Sequence, residues 1–473
     1  MEWLCDPRSL GPLESASAVS APDVGVYAAC GRVAGRPIVC YAQDSAISGG
    51  SVGVAEAEVI VRALRYSRRA QVPLVAFLES AGARLQEGAA ALGGFGRIFS
   101  ENVALSGRSP QISVVTGVAA GGGCYSPALT DFIMMTAKSS MFLTGPRIVE
   151  LALGEKISTA ALGGVGVHAR NGVCDLVAGD EHKAITMVRE LLGYLPQNAS
   201  EFSPAAPAEA PTGEDPAGVL PPKSRNYYDV RDVIKRLVDG GRFLEVSELW
   251  ARSMVVGFAR IDGQAVAIIA NQACHRGGII DVEASKKGAK FVRTCAAYRI
   301  PMMVLVDTPG FMPGSRQESA GVIRHGAELV QAFAAARSPR ATVILRKAFG
   351  GAFITMNSKD LGADASFCWP NAEIGIMGPE AAVEIIHRRK LLAAANGALR
   401  DRLIRRYAQE SLSPESAVAS GAVDAVIEPS ETRQHVARAL WLDRANERTW
   451  GSRITRGPLE DAQWPAAEAA LRA

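Results

Sequence analysis

Residues 332–379 read AFAAARSPRATVILRKAFGGAFITMNSKDLGADASFCWPNAEIGIMGP, and the first part of this stretch is written twice in the chain. A shift of 229 residues carries Arg108-Ser109-Pro110 onto Arg337-Ser338-Pro339, Val114 onto Val343, Ala119 onto Ala348, Gly121 onto Gly350 and Gly122 onto Gly351. Each copy is an apolar run ending in paired glycines, the pattern of a buried strand entering a tight turn. Glycine has no side chain to screen its N–H and reaches dihedrals closed to other residues, so such a turn can aim backbone amides at a ligand oxygen. A lone Gly-Gly is more often just a tight strand-to-helix turn. Two at matched register predict two amide pockets.

The repeat extends upstream. GGIIDVEASKKGAKFVRTCAAYRIPMMVLVDTPG at 277–310 matches GGSVGVAEAEVIVRALRYSRRAQVPLVAFLESAG at 49–82, a shift of 228 residues that sets Gly50 on Gly278, Pro73 on Pro301 and Glu79 on Asp307. In the first copy, VGVYAACGRVAGRPIVCYAQD alternates as a β-hairpin turning near Gly35. A helix follows over Val54–Arg69 and a buried strand over Val72–Leu78. The second half resumes at Tyr227 with a helix stopped by Gly240-Gly241, and Glu380–Leu440 reads as largely helical with a turn at GAVDAVIEPSE. A period near 230 residues is a duplicated domain, since solenoid repeats run about 20–50 residues. The fold class is therefore α/β, with mainly parallel strands alternating with helices in each of two tandem domains. Their expected bounds are 1–198 and 226–473, joined by the Pro/Ala-rich stretch 199–225, a linker or surface crossover. Residues 1 to about 22 read as an irregular leader, and the last thirty, with Trp450 and Trp464, as a segment wrapping over a surface.

Composition narrows the function classes. Of 473 residues, 48% are hydrophobic and 21% charged, enough for large cores and against extensive disorder. A net charge of +3 is too weak to imply nucleic acid, and Arg65, Arg68 and Arg69 read first as a solvated helix face. No run of about 18 apolar residues predicts a membrane span. The eight cysteines (Cys5, Cys30, Cys40, Cys124, Cys174, Cys274, Cys295 and Cys368) form no Cys-x-x-Cys pair, which argues against a zinc ribbon or disulfide framework and suits a reducing cytoplasm. No metal site is expected.

Several side chains invite chemistry and read better as structure. Ser51 lies in a Gly-x-Ser-x-Gly run and is taken as a helix cap over a nucleophile. Cys124 has no basic neighbour in sequence and is read as an inert pocket wall, with Tyr125 and Ser126 as pocket lining. His168 and His325 are assigned structural or capping roles, and Asp307 the capping of the Thr-Pro-Gly turn that follows it.

SGGSVG at 48–53, GARLQEG at 82–88, PQISVVTGVAAGGGCYSPALTDF at 110–132, TGP at 144–146, LLGYLPQN at 191–198, VGFARIDGQAVAIIANQ at 256–272, VDTPGFMPGSRQE at 306–318, IRHGAELVQAFA at 323–334, RKAFGGAF at 346–353 and AEIGIMGPEAAVEII at 372–386 occur in one order. In these segments the chain resembles the carboxyltransferase β subunit of biotin-dependent acyl-CoA carboxylases, of the propionyl-CoA and acetyl-CoA carboxylase type. The resemblance implies two tandem crotonase-like (ClpP/crotonase) domains, and transfer of a carboxyl group from carboxybiotin to the α-carbon of a short or medium acyl-CoA. Negative charge then develops on the thioester oxygen and on the biotin ureido oxygen. By resemblance Gly121 and Gly122 hold the first, and Gly351 and Ala352 the second, through backbone amides, with Gly123, Tyr125, Gly350, Phe353 and Ile354 at the substrate. The freed biotin nitrogen takes the α-proton, so no protein base is required.

The 473 residues contain no ATP-grasp phosphate loop and no Met-Lys-Met biotinyl site, so a separate biotinylated biotin carboxylase or carrier partner is implied. So is a homo-oligomer, a dimer or a hexamer built as a trimer of dimers, with each active site shared between protomers. Two other classes stand beside this reading. One is a biotin-dependent decarboxylase or transcarboxylase component on the same fold; the other is a non-catalytic structural subunit, which would have no need of both glycine turns. The family position of Ile354 is Asp in propionyl-preferring members and apolar in those that also take acetyl-CoA, so a permissive enzyme is expected.

Overall fold

The computed structural model describes residues 1–13, 24–221, 226–392 and 397–441. Its strands form two eight-stranded sheets of one topology. The first contains β1 (Gly11–Pro12), β2 (Val26–Val33), β3 (Arg36–Gln43), β4 (Leu74–Ser80), β5 (Gln111–Ala120), β6 (Phe132–Thr136), β7 (Ser140–Phe142) and β8 (Leu176–Ala178). The second contains β9 (Leu244–Val246), β10 (Met254–Ile261), β11 (Gln264–Asn271), β12 (Met302–Thr308), β13 (Arg340–Phe349), β14 (Ala365–Cys368), β15 (Glu373–Gly375) and β16 (Ala425–Val426). The orders are β1-β2-β3-β4-β5-β6-β8, with β7 on β5, and β9-β10-β11-β12-β13-β14-β16, with β15 on β13.

The first sheet's helices are α1 (Val54–Ala70), α2 (Ala89–Leu105), α3 (Gly122–Ala128), α4 (Pro146–Leu153), α5 (Thr159–Gly163), α6 (Val165–Asn171) and α7 (Glu181–Tyr194). The second carries α8 (Val230–Lys235), α9 (Val282–Ala297), α10 (Ser315–Ser319), α11 (Val322–Ala335), α12 (Gly350–Thr355) and α13 (Pro379–Ile386), then α14 (Arg388–Leu392), α15 (Ala398–Ser411), α16 (Pro414–Ala419) and α17 (Thr432–Trp441).

The duplication read in the sequence is present down to dihedral angles. Both hairpins turn on two residues of positive φ, Ala34 (49°) and Gly35 (76°) in one, Asp262 (51°) and Gly263 (75°) in the other, a twist that matches the flanking strands. Gly50 and Gly278 are forced in the same way: a Cβ would lie 2.1 Å from the Glu79 carbonyl oxygen in one half and 2.2 Å from that of Asp307 in the other. The amide of Glu79 donates to Gln43 Oε1 at 3.2 Å, and that of Asp307 to Asn271 Oδ1 at 3.3 Å.

Differences from the expected elements have local causes. The strand begins at Leu74, two residues late, because the Val72 amide still bonds to Ser67 of α1 and Pro73 has no N–H to give the ladder. The helix after Tyr227 stops at Lys235, since Arg236–Gly241 tightens into turns. The GAVDAVIEPSE turn contains β16, which pairs with β14. The leader is docked: Trp3 stacks on His182 at 4.1 Å, Asp6 pairs with Arg189 at 2.9 Å, and β1 pairs with β2. The crossover lies against the second half, where the Ala206 amide donates to the Gly263 carbonyl at 2.9 Å. Trp450 and Trp464 lie outside the described residues.

One apolar core spans both halves. It joins Val75, Ile112, Val114 and Phe132 of the first sheet and Val188 and Leu191 of α7 to Val256, Phe258, Met302 and Val304 of the second sheet and Phe291 and Cys295 of α9. Several polar groups at this seam are paired. Tyr298 donates to Asp131 at 2.7 Å, while Asp175 accepts from Lys290 at 2.6 Å and from Ser247 at 3.1 Å. Burial pushes Asp131 up to about 6. Among the described residues, no helix is long and apolar enough to cross a membrane.

Candidate active site

Each predicted turn leaves the C-terminal end of a central strand, β5 or β13, and starts a short helix, α3 or α12. Gly121 (φ 55°) and Gly350 (φ 61°) make the reversal in dihedrals that other residues rarely adopt. The first amides of a helix have no intrahelical acceptor, so each turn leaves N–H groups that the helix itself does not engage.

The two turns differ in detail. Gly121 is not a free donor, because its amide is bonded to the Phe142 carbonyl of β7 at 3.0 Å. Its part is conformational, and the first amides of α3 are those of Gly122 and Gly123, of which Gly123 is buried. Gly122 lies under Phe95, and a Cβ there would come within 2.9 Å of the ring. In the second half a Cβ on Gly351 would meet only Phe311, at 3.8 Å, so the cradle is roomier. The Ala352 side chain is fully buried, which fixes the start of α12, and Phe353 packs on the core beside it. Ile354 is 50% exposed.

Tyr125 is exposed at the first turn, its ring edge-on to Phe99 at 5.9 Å. Ser126 is not pocket lining; it is buried, and its hydroxyl donates to Asn102 Oδ1 at 3.0 Å. The Cys124 thiol faces the Ala119 and Phe142 carbonyls, and burial pushes it up to about 11, so the nucleophilic thiolate is disfavoured. His168 Nε2 holds the Met141 carbonyl at 2.7 Å, and His325 lies 3.3 Å from Glu328. Arg65 and Arg68 reach Glu101 of α2 at 2.7 and 3.3 Å.

Two further side chains act otherwise than expected. Ser51 does not cap α1; Gly53 holds that position, with its amide on Glu56 at 2.9 Å, and Ser51 accepts from Arg84 at 3.3 Å. Asp307 does not cap its turn, where the Thr308 hydroxyl accepts from the Gly310 amide. Its buried carboxylate pairs with Arg346 at 3.0 Å and accepts from the Lys347 amide at 3.2 Å. Arg346 also lies over the Tyr228 ring at 5.1 Å, which ties β12 and β13 to the segment leading into α8. Its first-half counterpart is Gly117, where a Cβ would lie 2.4 Å from the Glu79 carboxyl group. This Arg-for-Gly exchange is visible in the aligned halves but not in either half alone. Among the described residues, no group of three or more His, Cys, Asp or Glu is placed to hold a metal ion.

Comparison with known proteins agrees with this architecture. A family model described as the carboxyl transferase domain matches residues 8–456. The propionyl-CoA carboxylase beta chain of Saccharopolyspora erythraea is 46% identical over 434 residues, covering 88% of this chain and 80% of that protein. The methylmalonyl-CoA decarboxylase subunit alpha of Veillonella parvula is 43% identical over 424 residues, covering 89% and 82%. Among solved structures, transcarboxylase 12S, described as a hexamer assembly with methylmalonyl-coenzyme A and methylmalonic acid bound, superposes with a TM-score of 0.89 at 39% identity, covering 94% of this chain and 88% of that one. The chain belongs to the carboxyl transferase family. Within it, this is an enzyme of the propionyl-CoA carboxylase carboxyltransferase type, with two tandem crotonase-like domains.

Proposed function

We propose that this carboxyltransferase moves a carboxyl group from carboxybiotin, borne on a partner protein, to the α-carbon of a short or medium acyl-CoA. The observation that carries the reading is the duplicated turn, because carboxyl transfer places negative charge on two oxygens and the chain offers two sets of fixed amides. Carboxybiotin supplies the carboxyl group and the nitrogen that accepts the α-proton. The amides of Gly122 and Gly123 face the thioester oxygen, and those of Gly351 and Ala352 the ureido oxygen. The roomier cradle at Gly351, bounded by Phe311 and the half-exposed Ile354, suits a bicyclic ring system, whereas Phe95 over Gly122 suits a narrow thioester. Amides fixed by a strand end and a helix start need no reorganisation as charge develops, and one such donor is worth about 3–4 kcal/mol of barrier.

The site is completed by a second copy of the chain. α3 packs on α2, β5 and β6, and α12 on α11, β12, β13 and β15, so each turn is built within its own half. Helix α4 has no buried residue, with Leu151 76% exposed, and Ile385 and Ile386 of α13 are exposed in the second half. Apolar faces beside both turns suit closure of the first half of one protomer on the second half of another. A dimer or a trimer of dimers follows, and transcarboxylase 12S is described as a hexamer. The eight free cysteines suit a cytoplasmic location.

The test is incorporation of labelled bicarbonate into acetyl-, propionyl- and butyryl-CoA. Product is expected only when ATP, a biotin carboxylase and a biotinylated carrier are added; product from the lone chain would refute the reading. The similarity to the decarboxylase subunit keeps a second reading open, in which the chain strips or exchanges carboxyl groups. That reading predicts carrier-dependent loss of label from methylmalonyl-CoA with no ATP-driven gain.

A further inference from the structure

Where α6 meets the second half there is a cavity of ≈340 Å³ with Trp250 as one wall. It exists because the halves dock closely: Gly172 (φ 83°) ends α6, and a Cβ there would lie 2.8 Å from the Trp250 indole. Three arginines line it. Arg170 comes from α6, Arg252 follows Trp250 and Arg276 sits on the turn before α9, while Lys286 of α9 reaches the rim only through its pair with Glu283. The two carboxylates present are already engaged. Asp281 accepts from the Ala284 amide at 2.9 Å and pairs with Arg276 at 2.8 Å. Glu283 accepts from the Trp250 indole N–H at 2.8 Å and pairs with Lys286 at 2.9 Å.

Two guanidinium groups are therefore left over. Among the described residues, neither Arg170 nor Arg252 has a hydrogen bond or ion pair. His275, which also lines the cavity, is held below its ordinary pKa first by burial and only then by Arg252 and Arg231. Ala251, between Trp250 and Arg252, keeps a positive φ of 43°, a conformation rare for a residue with a side chain.

We propose that this cavity binds a phosphate monoester dianion between Arg170 and Arg252. Two unneutralised planar forks match the charge and the oxygen geometry of a phosphate better than those of a single carboxylate. The volume admits a phosphate with part of the group it esterifies. The turn Arg276–Gly278 borders the cavity and rests against the Asp307 carbonyl at the end of β12, so a ligand there sits on the same end of the sheet as the second glycine turn. The phosphate belongs either to the nucleotide end of CoA, in which case the inference rests on the acyl-CoA reading above, or to a free phosphorylated metabolite, in which case it does not.

Calorimetric titration of the whole protein with inorganic phosphate tests the site directly, for wild type, Arg170→Gln and Arg252→Gln. Saturable binding, weakened at least ten-fold in each variant, is expected. The KM for propionyl-CoA and for its 3′-dephospho analogue assigns the source: a wild-type preference that collapses in both variants marks CoA, and a preference they leave unchanged marks a free phosphate ester. The titration stands even if no carboxylation is detected. Absence of saturable binding by wild type, or equal binding by both variants, overturns the site. So does a pair of variants that bind phosphate as wild type does but dissociate the oligomer, since the arginines would then face a neighbouring subunit's carboxylates.

Discussion

Gly122 and Gly351 occupy matched places in the two turns, yet the space above them differs. A methyl group on Gly122 would be driven within 2.9 Å of the Phe95 ring, while one on Gly351 makes an ordinary 3.8 Å contact with Phe311. Gly122→Ala is therefore expected to lower thermal stability by about 1–3 kcal/mol, as overpacking does, and to reduce kcat/KM more than ten-fold. Gly351→Ala keeps its N–H and is expected to stay within a few-fold of wild type in activity, with an unchanged melting temperature. Equal losses in the two variants would contradict this geometry. Beyond Ala352, the half-exposed Ile354 offers an apolar wall and no charge. One methylene in such a pocket discriminates by only about 1–3 kcal/mol, so acetyl-, propionyl- and butyryl-CoA should all be substrates. Ile354→Asp should shift their kcat/KM ratios toward propionyl-CoA, and unchanged ratios would mean that this side chain does not set the choice.

At the scale of elements, α9 carries a charge into the seam between the halves. Lys287 is 2% exposed, with Nζ donating to the Trp250 carbonyl at 2.9 Å, and burial pushes it down to about 7. A lysine whose folded pKa lies below its unfolded value is penalised most where it must be charged, below about pH 7, and the penalty is relieved as pH rises toward its unfolded value. Lys287→Met should thus raise the melting temperature most at pH 6.5 and progressively less by pH 9, the gap closing at roughly 1.4 kcal/mol per pH unit. A gap independent of pH would show that Lys287 titrates normally.

This seam also marks where the sequence stops being legible. Hairpins, βαβ rhythm and both glycine turns can be read because their signals lie within a few residues and recur at 228 or 229. The engagement of Gly121 by Phe142, the Asp307–Arg346 pair and the Asp131–Tyr298 contact join residues far apart in the chain, by backbone groups or single side chains that leave no periodic trace. The Gly53 cap escaped for a different reason: glycine caps without a side-chain signature, and the nearby serine was the more visible candidate.

For the whole molecule, the shared core makes the two halves one body, while the exposed apolar residues of α4 and α13 leave that body unfinished. Leu151→Glu is expected to dissociate the oligomer in light scattering and to abolish carboxylation, with the subunit's own circular dichroism preserved. An intact, active oligomer would place the contact elsewhere. In the proposed reaction the two duplicated turns hold two developing oxyanions through backbone N–H groups. Replacing the Gly351–Ala352 peptide bond with an ester removes one donor and leaves every side chain in place. Single-turnover transfer of labelled carboxyl from a carboxylated carrier to propionyl-CoA should slow by about 10²–10³-fold, with melting temperature and oligomer unchanged. Transfer within two-fold of the wild-type rate would show that this amide does not hold a developing oxyanion.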